Sequence, residues 1–260
     1  VVVSCAGGAQ SQPAWQSERL VGEFLDRRAV LLPLLDVQED LLRRLFSRSG
    51  RTIGRFLDVG SGDGASSELM LELAPASHAV LADFSEPMLA RAGQRLARFP
   101  ERWEIARCDL REPSWHESLP AGAFDAAVSS YAIHHLTSER KRALFSELFA
   151  TLAPGAMFVN MDVVSICGPL QGLFDEQMVA NAVAAESPSG DDASPEGKHA
   201  HGGGRSHEEI ERELLADEDE DRPDPLATQL GWLGEAGFEQ VEVHFKWAEG
   251  VIFGGIRPVQ

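Results

Sequence analysis

Cysteine is scarce in this chain, and its three copies, Cys5, Cys108 and Cys167, are widely separated and contain no Cys-x-x-Cys pair. That argues against a disulfide framework and a cysteine zinc site, and leaves buried or incidental thiols. No apolar run comes near the ~18 residues that cross a bilayer. The opening VVVSCAGGAQSQPAW lacks the basic stretch and apolar segment of a secretory leader. A cytoplasmic protein is expected. Basic charge is in short supply as well: 23 Lys and Arg against 41 Asp and Glu give a formal charge of -18. Such a surface repels phosphate backbones and anionic lipid, so neither nucleic acid nor membrane is expected as a partner. Part of the excess sits in one acidic block at 216–221, which reads as a solvated face or lid edge rather than a metal-binding tract. Nothing in the sequence sets an oligomeric state.

What is present suits one α/β domain: 260 residues, 43% hydrophobic, with 24 Gly and 14 Pro for many connections. Residues 1–14 read as a flexible N-terminus and 15–257 as a single domain. The domain opens on a helical cap over 15–46, from helices at 15–28 and 31–46. Short apolar runs then alternate with helical spacing. Strands are expected at 54–59, 78–83, 102–107, 124–130 and 155–162, and helices near 63–74, 86–98, 113–118 and 138–152. Leu152-Ala-Pro-Gly155 reads as a stop between the last helix and its strand. A low-complexity stretch at 186–206 reads as a mobile insertion. A helix at 208–215, a helix at 225–237 and paired strands at 238–247 and 251–256 close the chain. The pattern predicts an open, mostly parallel seven-stranded sheet with helices on both faces and a C-terminal antiparallel strand pair.

Chemistry concentrates at the predicted strand ends. RFLDVGSGDG, at 55–64, runs a strand into a turn holding Gly60, Ser61, Gly62, Asp63 and Gly64, where backbone can approach a ligand without a Cβ in the way. No Gly-Lys-Ser/Thr follows, and Asp58 and Asp63 would repel a polyphosphate, so the turn favours a ligand that is cationic or rich in hydroxyls. Asp83 ends the next strand 23 residues after Gly60, the separation at which an acid grips ribose hydroxyls. Asp109 ends the third, where it could accept from an adenine amino group or order backbone. FDAAVSSYAIHHL, at 124–136, carries Ser129, the sole tyrosine Tyr131, and His134 and His135, groups able to line a pocket or move a proton. Adjacent histidines make a poor metal site without a third partner. His199, His201 and His207, in a Gly-rich setting, suggest adventitious binding only, and no functional metal is expected.

Taken together, these segments resemble the class I, Rossmann-like S-adenosylmethionine-dependent methyltransferases, in particular their small-molecule branch, over roughly residues 15–257. In that resemblance Asp58 with Gly60, Gly62 and Gly64 embraces the methionine part of S-adenosyl-L-methionine. Ser61, Asp63 and Ser129 belong to the same surroundings. Asp83 takes the ribose, Phe84 and Met88 lie near the adenine, and Asp109 and Leu110 match the third motif. LAPGAMFVN and the closing helix and strand pair match as well. The chain departs from many relatives at Gly155-Ala156, where they have two glycines, and in the length of 186–206. It lacks the Asn/Asp-Pro-Pro-Tyr run of the DNA amino-methylating branch. The resemblance implies methyl transfer to a small-molecule acceptor, with His134, His135 or Tyr131 as base if the acceptor is an oxygen or carbon. The alternatives are a noncatalytic cofactor-binding protein or an enzyme transforming another part of the cofactor; dinucleotide oxidoreduction fits less well.

Overall fold

The computed structural model describes residues 14–48, 50–186 and 221–259. The calls on residues 1–13, on most of the 186–206 insertion, on the helix at 208–215 and on the acidic block up to 220 lie outside the described residues. Seven strands form one sheet: β1 (Arg55–Val59), β2 (His78–Asp83), β3 (Trp103–Arg107), β4 (Phe124–Ser130), β5 (Leu152–Val163), β6 (Glu239–Trp247) and β7 (Gly250–Ile256). Their spatial order is β3-β2-β1-β4-β5-β7-β6. The first five are mutually parallel, and β7 inserts antiparallel between β5 and β6. This is the expected architecture, with the strand pair at the edge where an antiparallel ending is accommodated.

The central strands form here because their residues are apolar on both sides. In β1, Phe56 packs in one layer with Leu42, Phe46 and Met70, while Leu57 and Val59 pack in the other with Leu144, Phe145 and Leu148. One layer carries α2 (Leu35–Arg48), α3 (Ala65–Leu73) and α4 (Glu86–Arg95), and the other α5 (Ser138–Thr151) and α7 (Leu226–Ala236). Side-chain caps start the helices: Ser85 Oγ accepts from Met88 N of α4, and Thr137 Oγ1 accepts from Arg140 N of α5. At the far end of α5, Arg257 Nη1 donates to the carbonyls of Phe149 and Ala150, which the helix leaves unpaired.

Three local expectations need correction. The helix at 113–118 is a single 3-10 turn over Trp115–Ser118. Pro154-Gly155 does not precede the fifth strand but lies within it: Leu152 already pairs with Phe124, and the register slips between Phe124 and Ala126. Gly155 accommodates the bulge at φ +78, with the Arg51 guanidinium packed where a Cβ would stand. A helix absent from the sequence reading, α6 (Leu173–Glu186), packs on the first helix, α1 (Glu18–Leu31). Asn181 Nδ2 donates to Val30 O, and Val30 joins Val179 and Ala182 in a small apolar cluster.

Candidate active site

The C-terminal ends of β1, β2 and β4 and the chain following β3 border a cavity of about 410 Å³. This is where an open α/β sheet binds its ligands. The three glycines of the first turn have different tasks. Gly60 lies at φ +66, and a Cβ there would stand 2.3 Å from Ala132 Cβ, so it lets the turn pack against the chain leaving β4. Gly64, the left-handed N-cap of α3, has Ala92 of α4 at 3.2 Å from its notional Cβ. Gly62, at φ +51, borders the cavity and meets only Met88 Sδ, at 3.9 Å. Its bareness leaves room for a ligand.

Asp83 is the central acid. Its Oδ2 accepts from Gly62 N and its Oδ1 from Ser85 N, each at 2.8 Å, which locks the end of β2 to the glycine turn. Burial raises its pKa against these bonds. Among the described residues it forms no ion pair, and it borders the cavity with Phe84, Met88 and Leu110. Ser61 Oγ, also on the cavity wall, is buried and has no hydrogen-bond partner among the described residues. A polar atom in that position calls for a ligand group. An acid with spare lone pairs, a bare glycine, an orphaned hydroxyl and apolar side chains fit the ribose, backbone and ring parts of S-adenosylmethionine.

The remaining predicted cofactor residues divide. Asp63 borders the cavity but is paired with Arg28, at 3.2 Å, and with Arg95. Asp109 borders it too and is clamped by Arg111, which also lies 5.0 Å over the Phe84 ring. Burial would raise the Asp109 pKa, but the Arg111 bonds lower it. Asp58 and Ser129 do not reach the cavity wall. Asp58 is buried under α3, where Ser67 Oγ donates to it at 2.6 Å, and burial pushes its pKa up to about 7. Ser129 Oγ donates to Val59 O and ties β4 to β1.

Helical residues from the N-terminal cap close the cavity. Trp15 and Phe24 meet edge to face at 5.2 Å, and both line it with Arg28 and Leu32. Two bonds pin this cap to β2: Gln16 Nε2 donates to Phe84 O, and Ser85 Oγ to Trp15 O. Sequence reasoning placed a helix here but not its contacts, since only the partner at 84–85 fixes which side chains face inward. Cys108 also lines the cavity as a neutral thiol, its pKa pushed up to about 12 by burial and by Asp83 and Asp109.

The three predicted bases part company. Tyr131 borders the cavity, yet its hydroxyl donates to Gln38 Oε1 at 3.0 Å, and burial raises its pKa. His134 is buried behind the wall, with Nδ1 at 2.5 Å from Asp162 Oδ1 and Nε2 at 3.4 Å from Asp221 Oδ1. Burial opposes its charge, but the Asp162 carboxylate and then Asp221 outweigh that and raise its pKa to about 9. His135 reaches the wall and lies 3.0 Å through Nδ1 from the same Asp221 oxygen. Burial would raise the Asp221 pKa, but the two imidazoles hold it well below the usual carboxylate range. The sequence reading missed Asp162 and Asp221. Asp162 follows the rule that found Asp83, an acid near the end of a parallel strand; Asp221 arrives by a long return of the chain and carries no local signal.

Residues 56–155 match the protein family described as a methyltransferase domain. An uncharacterized methyltransferase of Mycobacterium tuberculosis is 37% identical over 109 residues, 42% of this chain and 50% of that protein. A demethylmenaquinone methyltransferase of Clavibacter sepedonicus is 28% identical over 207 residues, 78% of this chain and 74% of that protein. The chain thus spans about half the length of the mycobacterial relatives it matches. Among solved structures, an O-methyltransferase family protein from Burkholderia thailandensis superposes with a TM-score of 0.65 at 14% identity, covering 95% of this chain and 62% of that one. With its sheet order and glycine turn, the chain has the class I, Rossmann-like fold of the S-adenosylmethionine-dependent methyltransferases.

Proposed function

We propose that this chain transfers a methyl group from S-adenosylmethionine to a small-molecule acceptor in the cavity at the strand ends. The observation that carries the reading is Asp83: a buried acid that among the described residues has no salt bridge, held by two backbone amides, on a cavity wall beside an unfilled glycine and a serine hydroxyl with no partner among those residues. In this reading Asp83 binds the ribose hydroxyls. Gly62 and Ser61 meet the methionine part, and Phe84, Met88 and Leu110 flank the ring. When bound, the cofactor supplies an electrophilic methyl group on a sulfonium.

The chain's own part is to orient the acceptor and exclude water, which alone removes much of the barrier to an in-line attack. Trp15, Phe24 and Tyr131 give the acceptor end flat apolar walls, which suits a ring-bearing substrate. The Clavibacter sepedonicus relative, as a demethylmenaquinone methyltransferase, acts on a molecule of that kind. Of the three candidate bases, His135 is the imidazole that can meet such an acceptor. The Tyr131 hydroxyl is committed to Gln38, and His134 lies behind the wall with its Nδ1 committed to Asp162. Small size is supported by the cavity volume, and the acidic surface argues against nucleic acid. Among the described residues no helix is long and apolar enough to cross a membrane.

Titration calorimetry with S-adenosylmethionine and S-adenosylhomocysteine tests the cofactor, with Asp83→Ala as the control expected to lose binding. Transfer of labelled methyl to a panel of hydroxylated aromatics then tests the reaction. Absence of heat with both compounds refutes the cofactor assignment. Tight binding without transfer to any acceptor favours the noncatalytic reading.

A further inference from the structure

The residues behind the acceptor end converge on one point. His134 Nε2 and His135 Nδ1 approach the same oxygen, Asp221 Oδ1, at 3.4 and 3.0 Å. The three ligand atoms lie within 4.8 Å of one another. Donor atoms about 2.1 Å from a tetrahedral ion stand about 3.4 Å apart, which the two nitrogen-to-oxygen separations approach. Adjacent histidines need a third partner to make such a site, and the returning chain supplies one.

Two further features point the same way. His134 Nδ1 is committed to Asp162, which leaves Nε2 turned to Asp221; a carboxylate behind a histidine in this manner fixes the ring and the tautomer that a metal requires. His135 Nδ1 is shut off from solvent and makes no aligned hydrogen bond, although it is close to Asp221. The third ligand is also firmly placed. Arg222 N donates to His134 O, and the buried Lys141 Nζ donates to Arg222 O and to Asp224 Oδ2, the latter at 2.7 Å. Asp162 and Asp221 together match the charge of a divalent ion.

We propose that His134 Nε2, His135 Nδ1 and Asp221 bind a divalent transition-metal ion of the zinc class. Its remaining coordination position opens toward the cavity, which His135 and Arg222 line. There it would take an oxygen of the acceptor and lower its pKa in place of proton removal by His135, a role that rests on the methyl-transfer reading, whereas the metal site itself does not.

The test uses the full chain stripped with a chelator and then titrated with Co²⁺, followed by the visible bands of the bound ion and by displacement with Zn²⁺. We expect one ion per chain at micromolar affinity or tighter. Asp221→Asn and His135→Ala should each weaken it about tenfold or more. Asp221 is exposed, so Asp221→Asn is expected to stay folded, which a cooperative thermal transition checks. A variant with His199, His201 and His207 all changed to Ser should still bind. Binding that disappears in this triple variant and survives Asp221→Asn overturns the proposal, as does no binding to the wild type. The same stripped protein is titrated with S-adenosylmethionine. Cofactor binding without metal binding sinks the metal site alone and leaves the proposed reaction standing.

Discussion

Replacing Gly60 or Gly62 by Ala separates what holds the first turn together from what lets it bind. Both residues are left-handed, at φ +66 and φ +51, and an alanine there costs about 1–2 kcal/mol in either case. The surroundings differ. At Gly60 the added carbon would stand 2.3 Å from Ala132 Cβ, and neither carbon can rotate away because both are fixed directly to backbone. The turn and the chain after β4 must separate, an overpacking cost of about 1–3 kcal/mol. The total for Gly60→Ala is then about 2–5 kcal/mol, which for a chain of this size lowers the unfolding midpoint by roughly 4–20 °C. At Gly62 the nearest atom is Met88 Sδ at 3.9 Å, so only the backbone term of about 1–2 kcal/mol remains. Its methyl group, however, projects toward space assigned to the cofactor. Thermal or urea unfolding without ligand should rank Gly60→Ala as the more damaging change. Calorimetric titration with S-adenosylmethionine should find Gly62→Ala folded but bound at least about tenfold more weakly, the loss of ~1.4 kcal/mol. Equal destabilisation by the two changes refutes the packing argument, and wild-type affinity in Gly62→Ala refutes the close approach of backbone to ligand.

Asp58 gives a pH dependence with a definite sign. Its pKa is raised by burial to about 7 in the folded chain, so its contribution is present in full below about pH 4 and lost as pH rises through about 7. The loss is on the order of 4 kcal/mol. Urea unfolding across that range should therefore show Asp58→Asn gaining on the wild type as pH rises, and a constant difference would refute the assignment. Lys141→Met should cost about 3–5 kcal/mol in the same assay, because it strips a buried cation from Asp224 and from the carbonyl of Arg222; a change below about 1 kcal/mol would place that pair with ordinary surface salt bridges. Asp83→Asn should leave Gly62 N or Ser85 N unpaired, costing about 1–3 kcal/mol, and weaken S-adenosylmethionine binding more than tenfold. Asp109→Asn gives up only a partly exposed pair worth about 0–1 kcal/mol. Calorimetry that ranks the two acids the other way sinks the assignment of the ribose to Asp83.

The parallel sheet was legible because its central strands are buried on both faces and therefore read as short continuous apolar runs. FLDV and AVLAD are examples, each ending in or near an acid where the ligand-binding edge lies. The start of β5 was not legible, because Pro-Gly is ordinarily a terminator and nothing in the sequence announces that Arg51 and a register slip make room for it inside a strand. α6 was missed for another reason. Leu173–Glu186 spreads its apolar residues around the helix instead of along one stripe, so helical periodicity is faint. The first glycine turn was readable as a binding element, yet the division of labour within it depends on Ala132, Ala92 and Met88, all brought in by other parts of the chain. The convergence of His134, His135 and Asp221 is likewise tertiary. A pair of histidines next to each other could state the need for a third group but not supply it.

The acids at the strand ends are told apart in the sequence by spacing alone, and in the structure also by their pairing. Asp63 is neutralised by Arg28 and Arg95 and Asp109 by Arg111, while Asp83 forms no ion pair among the described residues. Arginines pair two of the acids of this cavity and leave Asp83 as the acid on its wall without an ion pair among the described residues. A phosphate ligand would then meet its main repulsion at the one acid able to bind it, whereas hydroxyl donors and a cationic sulfur or amine would meet an acceptor already aligned by Gly62 and Ser85. The arginines do not make the cavity an anion site; by silencing Asp63 and Asp109 they focus it on Asp83. In the proposed reading, selectivity for a sulfonium nucleoside over a dinucleotide would rest on which acid is left unpaired, a property of side-chain pairing that neither the glycine motif nor the strand order encodes.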